Sequence, residues 1–218
     1  MNSFGHAVMA AEIHQERGFM LGAILPDLLG FLPLKPPAIL RDSVHSGIDH
    51  HKSVDTHFHS LSTFQQGMLA VSPELQALHV RRGLSRAAAH VGLEFYVDGY
   101  LARHEPAVTR WTTFLDAVLA QGISDLIAFS EDQEADTVLE FFQRQRRHPR
   151  PSTDPAVIAH RVARALGYRP RLKMAPQEVP VVEEALRAVG DDMSQRAECI
   201  LAELRLTFRY GHQRVDRR

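Results

Sequence analysis

Apolar residues recur at helical spacing along most of the chain. Phe4, Ala7, Val8 and Ala11 share one face, which predicts a first helix over residues 3–16 with Ser3 as its cap and His6 in its first turn. The apolar run from Gly18 to Leu34 is interrupted by Pro26 and Asp27 and reads as a buried turn or a short helix pair, with Pro26 at a first helical position. Lys35 to Pro37 breaks the chain. A helix is then predicted from about Ile39 to Gln66 with Gly47 as a junction, another from Ser72-Pro73 to Arg82-Gly83, and a third from Ser85 to about Arg103. Glu105-Pro106 should end that one, with helices following at 107–121, 124–129 and 131–147. Three prolines in the segment 148–155 mark the clearest loop, and Asp154-Pro155 opens a further helix that Gly167 ends. A long amphipathic helix or kinked pair covers 178–210, with Val182, Leu186, Met193, Ile200, Leu204 and Phe208 as its apolar stripe. Few stretches alternate with period two. The expected fold class is therefore all-α, a single-domain helical bundle.

Composition narrows the function. The 218 residues suffice for one well-filled domain, and 25 basic against 26 acidic side chains leave a net charge near zero. That argues against a general nucleic-acid or membrane-surface binder, which usually carries a broad basic excess. Asp27 in the middle of the longest apolar run argues against a transmembrane span. The N-terminus lacks the basic start and cleavage site of a secretory signal, and a single cysteine, Cys199, excludes an internal disulfide and a cysteine metal cage. A reducing, cytoplasmic setting is expected. Any metal would be held by histidine and carboxylate.

Histidine is what exceeds expectation: there are thirteen, seven of them between His45 and His90. In GIDHHKSVDTHFH, residues 47–59, His51, Asp55 and His59 stand four apart, and on a helix that spacing spreads over only about 80° of arc. In HVGLEFYVD, residues 90–98, His90, Glu94 and Asp98 repeat the spacing. Two such rows on separate helices are what a metal site between helices requires. A rise of about 1.5 Å per residue separates His51 from His59 by roughly 12 Å, so one ion cannot take all three. His51 and Asp55 form the primary pair, with His59 in an outer role or reaching a neighbouring ion or substrate. Asp27, a carboxylate in apolar surroundings, needs a compensating cation or a helix-capping role. Mixed histidine and carboxylate ligation suits Mn, Zn, Fe or Mg, and the chemistry that fits is hydrolysis of a phosphoryl compound, with Lys52, Arg86 and Arg103 as candidates to hold its negative oxygens. His14, His45, His57, His79, His148, His160 and His212 read as ordinary hydrogen-bonded histidines.

These motifs resemble the acyl carrier protein phosphodiesterase family, within the wider HD-type metal-dependent phosphohydrolases. Asn2 and His6 fit the family's opening, GAILPD its apolar segment closed by an acid at Asp27, and Gly47, His51, Lys52 and Asp55 its Gly, His, basic and acid segment. EFYVDGYLARH is similar to its aromatic-rich helix bounded by two acids, here Glu94 and Asp98, and Arg169 to Leu172 match an Arg-Pro-Arg-Leu run. The resemblance implies a bundle of HD-domain type and a metal-dependent, typically manganese-dependent, hydrolase that removes 4′-phosphopantetheine from acyl carrier protein. It implies Asp27, His51, Asp55 and Asp98 as core ligands with His6 and Glu94 beside them, and Asp27 and Asp55 also orienting the attacking water. His59 and Glu94 stand where the family has Asp, Gly99 where it has His, and His90 is additional. GAILPDL is also similar to zinc-dependent phospholipase C-like proteins. A non-catalytic helical protein with histidine–acid pairs is the alternative of another class.

Overall fold

The first apolar segment forms helix α1 (Ser3–Ala11), all of whose residues are buried. It stops before the exposed polar stretch His14 to Glu16, which has no core to face, and is therefore shorter than the expected 3–16. In the computed structural model, which describes residues 1–32, 34–148 and 150–215 with side chains through Thr207, ten helices carry nearly all of the regular structure. The fold is all-α. Among the described residues, the exception is one antiparallel pair, β1 (Ala38–Ile39) against β2 (Ile127–Ala128). Contacts divide the chain into two compact units, Met1–Asp55 with Ala102–Pro151, and Thr56–Leu101 with Ser152 onward.

In the first unit α1 packs on α2 (Arg17–Phe31) and on α6 (Glu105–Gln121), and α6 packs on α7 (Asp132–Arg147). An aromatic chain runs through this core. Phe4 meets Trp111 edge-on, Trp111 stacks with Phe114, and Phe114 meets Phe142 edge-on. The contact that matters most for the site is between backbones. Helix α3 (Asp42–Ser60) lies so close to α2 that a Cβ on Gly47 would overlap the Phe19 carbonyl oxygen and come within 2.8 Å of the Ala23 nitrogen. A Cβ on Gly22 would overlap the Val44 carbonyl oxygen and lie 3.0 Å from the Gly47 Cα. Two glycines facing each other let the helices touch along their main chains.

In the second unit α5 (Arg82–Leu101) is the central helix, packed against α4 (Ser62–Ala77), α8 (Pro155–Leu166) and α10 (Gly190–Val215). Its face carries Leu93, Tyr96, Val97 and Leu101, each at most 1% exposed. Helix α9 (Glu178–Ala188) closes on α8 and α4. The Tyr96 hydroxyl donates to the Leu186 carbonyl of α9 at 2.9 Å, so this buried polar atom is satisfied. The expected stripe of Val182, Leu186, Met193, Ile200 and Leu204 is buried, on two successive helices, the pair of the two expected alternatives. The Phe208 and His212 side chains lie outside the described residues.

Prolines account for most of the differences from expectation. Pro26 lies inside α2, not at a helix start, and Pro73 lies inside α4, whereas a new helix was expected at Ser72-Pro73. Each removes one main-chain donor, a loss that the tertiary packing of the helix's apolar face outweighs. Gly47 is no junction but a packing contact, and the break falls at Leu61, whose backbone is extended. Helix α4 ends where His79 takes a left-handed φ of 63° and the Val80 nitrogen donates to the Leu75 carbonyl at 3.0 Å, a Schellman turn. Glu105-Pro106 opens α6 instead of only ending α5, since proline in the first turn forfeits a bond that has no partner there. The expected helix at 124–129 is a turn leading into β2, its chain exchanged into pairing with β1. Asp154 caps α8 as its sequence suggests, accepting from the Ala156 nitrogen at 2.8 Å.

Two outcomes test this packing. Gly47→Ala must force α2 and α3 apart and should cost about 3 kcal/mol or more, the upper end of overpacking penalties. Gly30→Ala, on the open side of α2 with nothing within 4 Å, should be neutral or mildly stabilising, and chemical denaturation of both variants measures the contrast. Tyr96 supplies a pH test. Burial, with the nearby Asp154 charge, pushes its phenol up to about 12 from an ordinary 10. A raised folded value means that this contribution is complete below about pH 10 and is lost as pH climbs toward 12. Tyr96→Phe should cost about 1–2 kcal/mol at neutral pH by stranding the Leu186 carbonyl, and should flatten the alkaline limb of a stability–pH curve.

Candidate metal centre

Helix α1 delivers His6, α2 delivers Asp27 and α3 delivers His51 to one place in the first unit, their ligand atoms all within 4.8 Å of one another. The sequence logic is simple. His6 sits on a helix buried on all sides, so its imidazole has no route to solvent; it is 0% exposed. His51 lies one turn after Gly47 on α3, and the glycine contact brings its ring down to α2. There the His51 Nδ1 lies 2.8 Å from the Ala23 carbonyl oxygen. A carbonyl only accepts, so Nδ1 carries the proton and Nε2 keeps its lone pair for a ligand. The His6 and His51 rings stack with centroids 3.9 Å apart.

Two stacked imidazoles inside a protein cannot both be charged. Burial, the dominant cause, lowers the His6 pKa from 6.5 to about 3, against the opposing pull of Asp55. Among the described residues, neither His6 ring nitrogen has a well-formed hydrogen-bond partner. The Asp55 carboxylate lies 3.5 Å from His6 Nε2, close enough to pull the His6 pKa up yet too long for a well-formed hydrogen bond. Asp27 is half-buried, and the Ser3 hydroxyl donates to it at 3.5 Å, the outer limit of a hydrogen bond. A buried neutral imidazole with unsatisfied nitrogens is costly unless something accepts its lone pair. A divalent ion does so, and the donor set of two imidazole nitrogens and one carboxylate, with Asp55 alongside, fits such an ion.

The second unit holds another group: His59 from the end of α3 with His90 and Glu94 from α5. His59 Nε2 and His90 Nε2 face the same Glu94 oxygen at 3.2 and 3.1 Å. Burial alone would raise the Glu94 pKa; positive charge and the two imidazole hydrogen bonds overcome it and hold the carboxyl well below the usual range. The i, i+4 spacing of His90 and Glu94 places both on one face of α5, as expected. His59, expected in an outer role or reaching a neighbouring ion or substrate, stands with His90 and Glu94 in a group separate from His51. Asp98 lies one turn beyond Glu94, 2% exposed, in the field of Arg161, whose guanidinium is lowered by burial and raised by Asp98.

The expected substrate-binding cations stay at the surface. Lys52 bonds to Asp49 at 3.0 Å, and Arg86 and Arg103 are exposed. Sequence reasoning overlooked Arg161, the Ala23 carbonyl that orients His51, and Phe64, which packs edge-on against both His59 and His90. A main-chain carbonyl carries no signal in the sequence. No family model, curated protein or solved structure matches this chain, so the reading of both groups rests on their residues.

Proposed function

We propose that the protein is a metal-dependent phosphodiester hydrolase centred on His6, Asp27, His51 and Asp55. The observation that carries this reading is the fully buried, neutral His6 with unsatisfied ring nitrogens beside a carboxylate and a second imidazole whose proton is fixed on the far nitrogen. Bound there, a divalent ion, manganese first on the family resemblance and Zn, Fe or Mg by ligand chemistry, would supply a water of lowered pKa and polarise a phosphoryl oxygen. The chain's own residues do the remainder. Asp27 and Asp55 hold the site's negative charge and orient the attacking water, accepting its hydrogen bonds. His6 stays neutral, locked by burial, and His51 is held in orientation by the Ala23 carbonyl.

The substrate of first choice is acyl carrier protein, from which the 4′-phosphopantetheine would be removed. Carrier proteins are acidic, and exposed Arg82 and Arg86, one turn apart on α5, offer positive charge to such a partner. A zinc-dependent phospholipase C-like activity is the alternative within the same chemistry. No helix is long and apolar enough to cross a membrane among the described residues.

Chelator-stripped protein should lose hydrolysis of a generic aryl phosphodiester and recover it with Mn²⁺, and Asp27→Asn should lower the rate by about 100-fold or more. Release of phosphopantetheine from holo carrier protein would fix the substrate; hydrolysis of the generic diester alone would point to a different one. No turnover of either substrate with Mn²⁺, Zn²⁺, Fe²⁺ or Mg²⁺ sinks the proposal. A stability measurement addresses His6 separately. Its folded pKa of about 3 lies below the unfolded 6.5, so the metal-free chain is stabilised above pH 6.5 and loses stability as pH falls toward 3. His6→Gln should flatten that acid limb in urea denaturation.

A further inference from the structure

We infer that His59, His90 and Glu94 form a binding site of their own for a divalent transition ion of the zinc type, within the second unit. The site does not rest on the hydrolase reading. An ion bonded to nitrogen and oxygen at about 2.0–2.1 Å in tetrahedral geometry holds its donors about 3.3 Å apart. His59 Nε2 and His90 Nε2 stand 3.2 and 3.1 Å from Glu94 Oε1, with the ring centroids 4.7 Å apart. These match two edges of such a tetrahedron, and the ligand atoms of all three residues lie within 4.8 Å of one another.

The rings are also held in place. Phe64, itself buried, meets His59 at 5.2 Å and His90 at 5.3 Å, both edge-on, and Phe58 meets His59 at 5.3 Å. The ligands are fixed by packing before any ion arrives, which is the condition for affinity in a designed or natural site. Two nitrogens among three donors favour zinc-like ions over magnesium or calcium, which take oxygen. Glu94 is ionised and shielded while the two imidazoles are about one third exposed, at 31% and 36%. The carboxylate lies inside and the imidazoles at the rim, so the remaining coordination position faces solvent. A three-residue set with an open position exchanges its fourth ligand, unlike the closed four-residue cages of structural zinc. The chemical class that this position takes is water or a small anion.

The full chain, stripped with chelator and dialysed against Zn²⁺, should then be counted for metal by elemental analysis. His59→Ala and His90→Ala should each lose one equivalent per chain that His6→Ala keeps, and Co²⁺ loaded in place of Zn²⁺ should lose its tetrahedral visible absorption in the same two variants. Equal zinc content in wild type and both variants, or none in wild type, overturns the site and leaves the group as a hydrogen-bonded histidine–glutamate cluster. Should a variant fail to fold, ¹⁵N-histidine spectra of the unaltered chain decide the point. Zn²⁺ must shift the Nε2 signals of His59 and His90, and unmoved signals refute the site. Loss of phosphodiester hydrolysis alone leaves the metal count unchanged, so the two proposals fail separately.

Discussion

The close approach of α2 and α3 is the constraint on which the first cluster depends. Helices that touch through side chains run 8–10 Å apart, and only small residues permit less. Gly22 and Gly47 remove the side chains at the crossing, so the Phe19 and Val44 carbonyls come against opposing main chain. One turn further along α3, His51 is thereby lowered onto the Ala23 carbonyl. A histidine with one ring nitrogen fixed by a carboxylate or a carbonyl presents the other in a single orientation. For His51 the fixing group is backbone, so it cannot be mutated away; it can only be moved by moving the helices. Tautomer, ring orientation and helix packing are one property.

Burial then sets the charge. The α1 helix is apolar on every side, and placing a histidine in it costs the hydration of an imidazolium, which the low pKa of His6 records. Aspartate nearby reduces that cost without cancelling it. An unsatisfied buried imidazole is a poor choice for stability alone, where leucine would pack at no such expense. Groups that break the packing rule in this way concentrate at functional sites.

Much of this was legible in the sequence. The four-residue spacing of His51, Asp55 and His59, and of His90, Glu94 and Asp98, placed each row on one helical face, and the apolar setting of Asp27 marked it as a carboxylate that needs a partner. The all-α class followed from the period of the apolar residues. Helix boundaries at Pro26, Pro73 and Pro106 did not, because a lost donor is a local cost of a few kcal/mol that tertiary burial can exceed, and the sequence shows only the local part. Gly47 was misread for a related reason: a glycine in a helix pattern signals either a break or a close approach, and the distinguishing feature, Gly22 opposite, lies 25 positions away. The role of His59 turned on the same limit. Spacing along one helix showed that it could not share an ion with His51, and left invisible the side chains of α5 that meet it.

Both clusters combine two imidazoles with one carboxylate, yet their surroundings would give them different chemistry. At His6, Asp27 and His51 the imidazoles are buried and the carboxylate half-exposed, so the negative group is the one nearest solvent. At His59, His90 and Glu94 the order is reversed: the carboxylate is shielded and the imidazoles form the rim. A carboxylate at the rim can accept a proton from water while staying hydrated, which suits a catalytic ion; a carboxylate beneath the imidazoles is desolvated and strengthens its bond to whatever cation it meets. The same three donor types, turned inside out, would favour turnover at an ion bound in one setting and retention of an ion bound in the other.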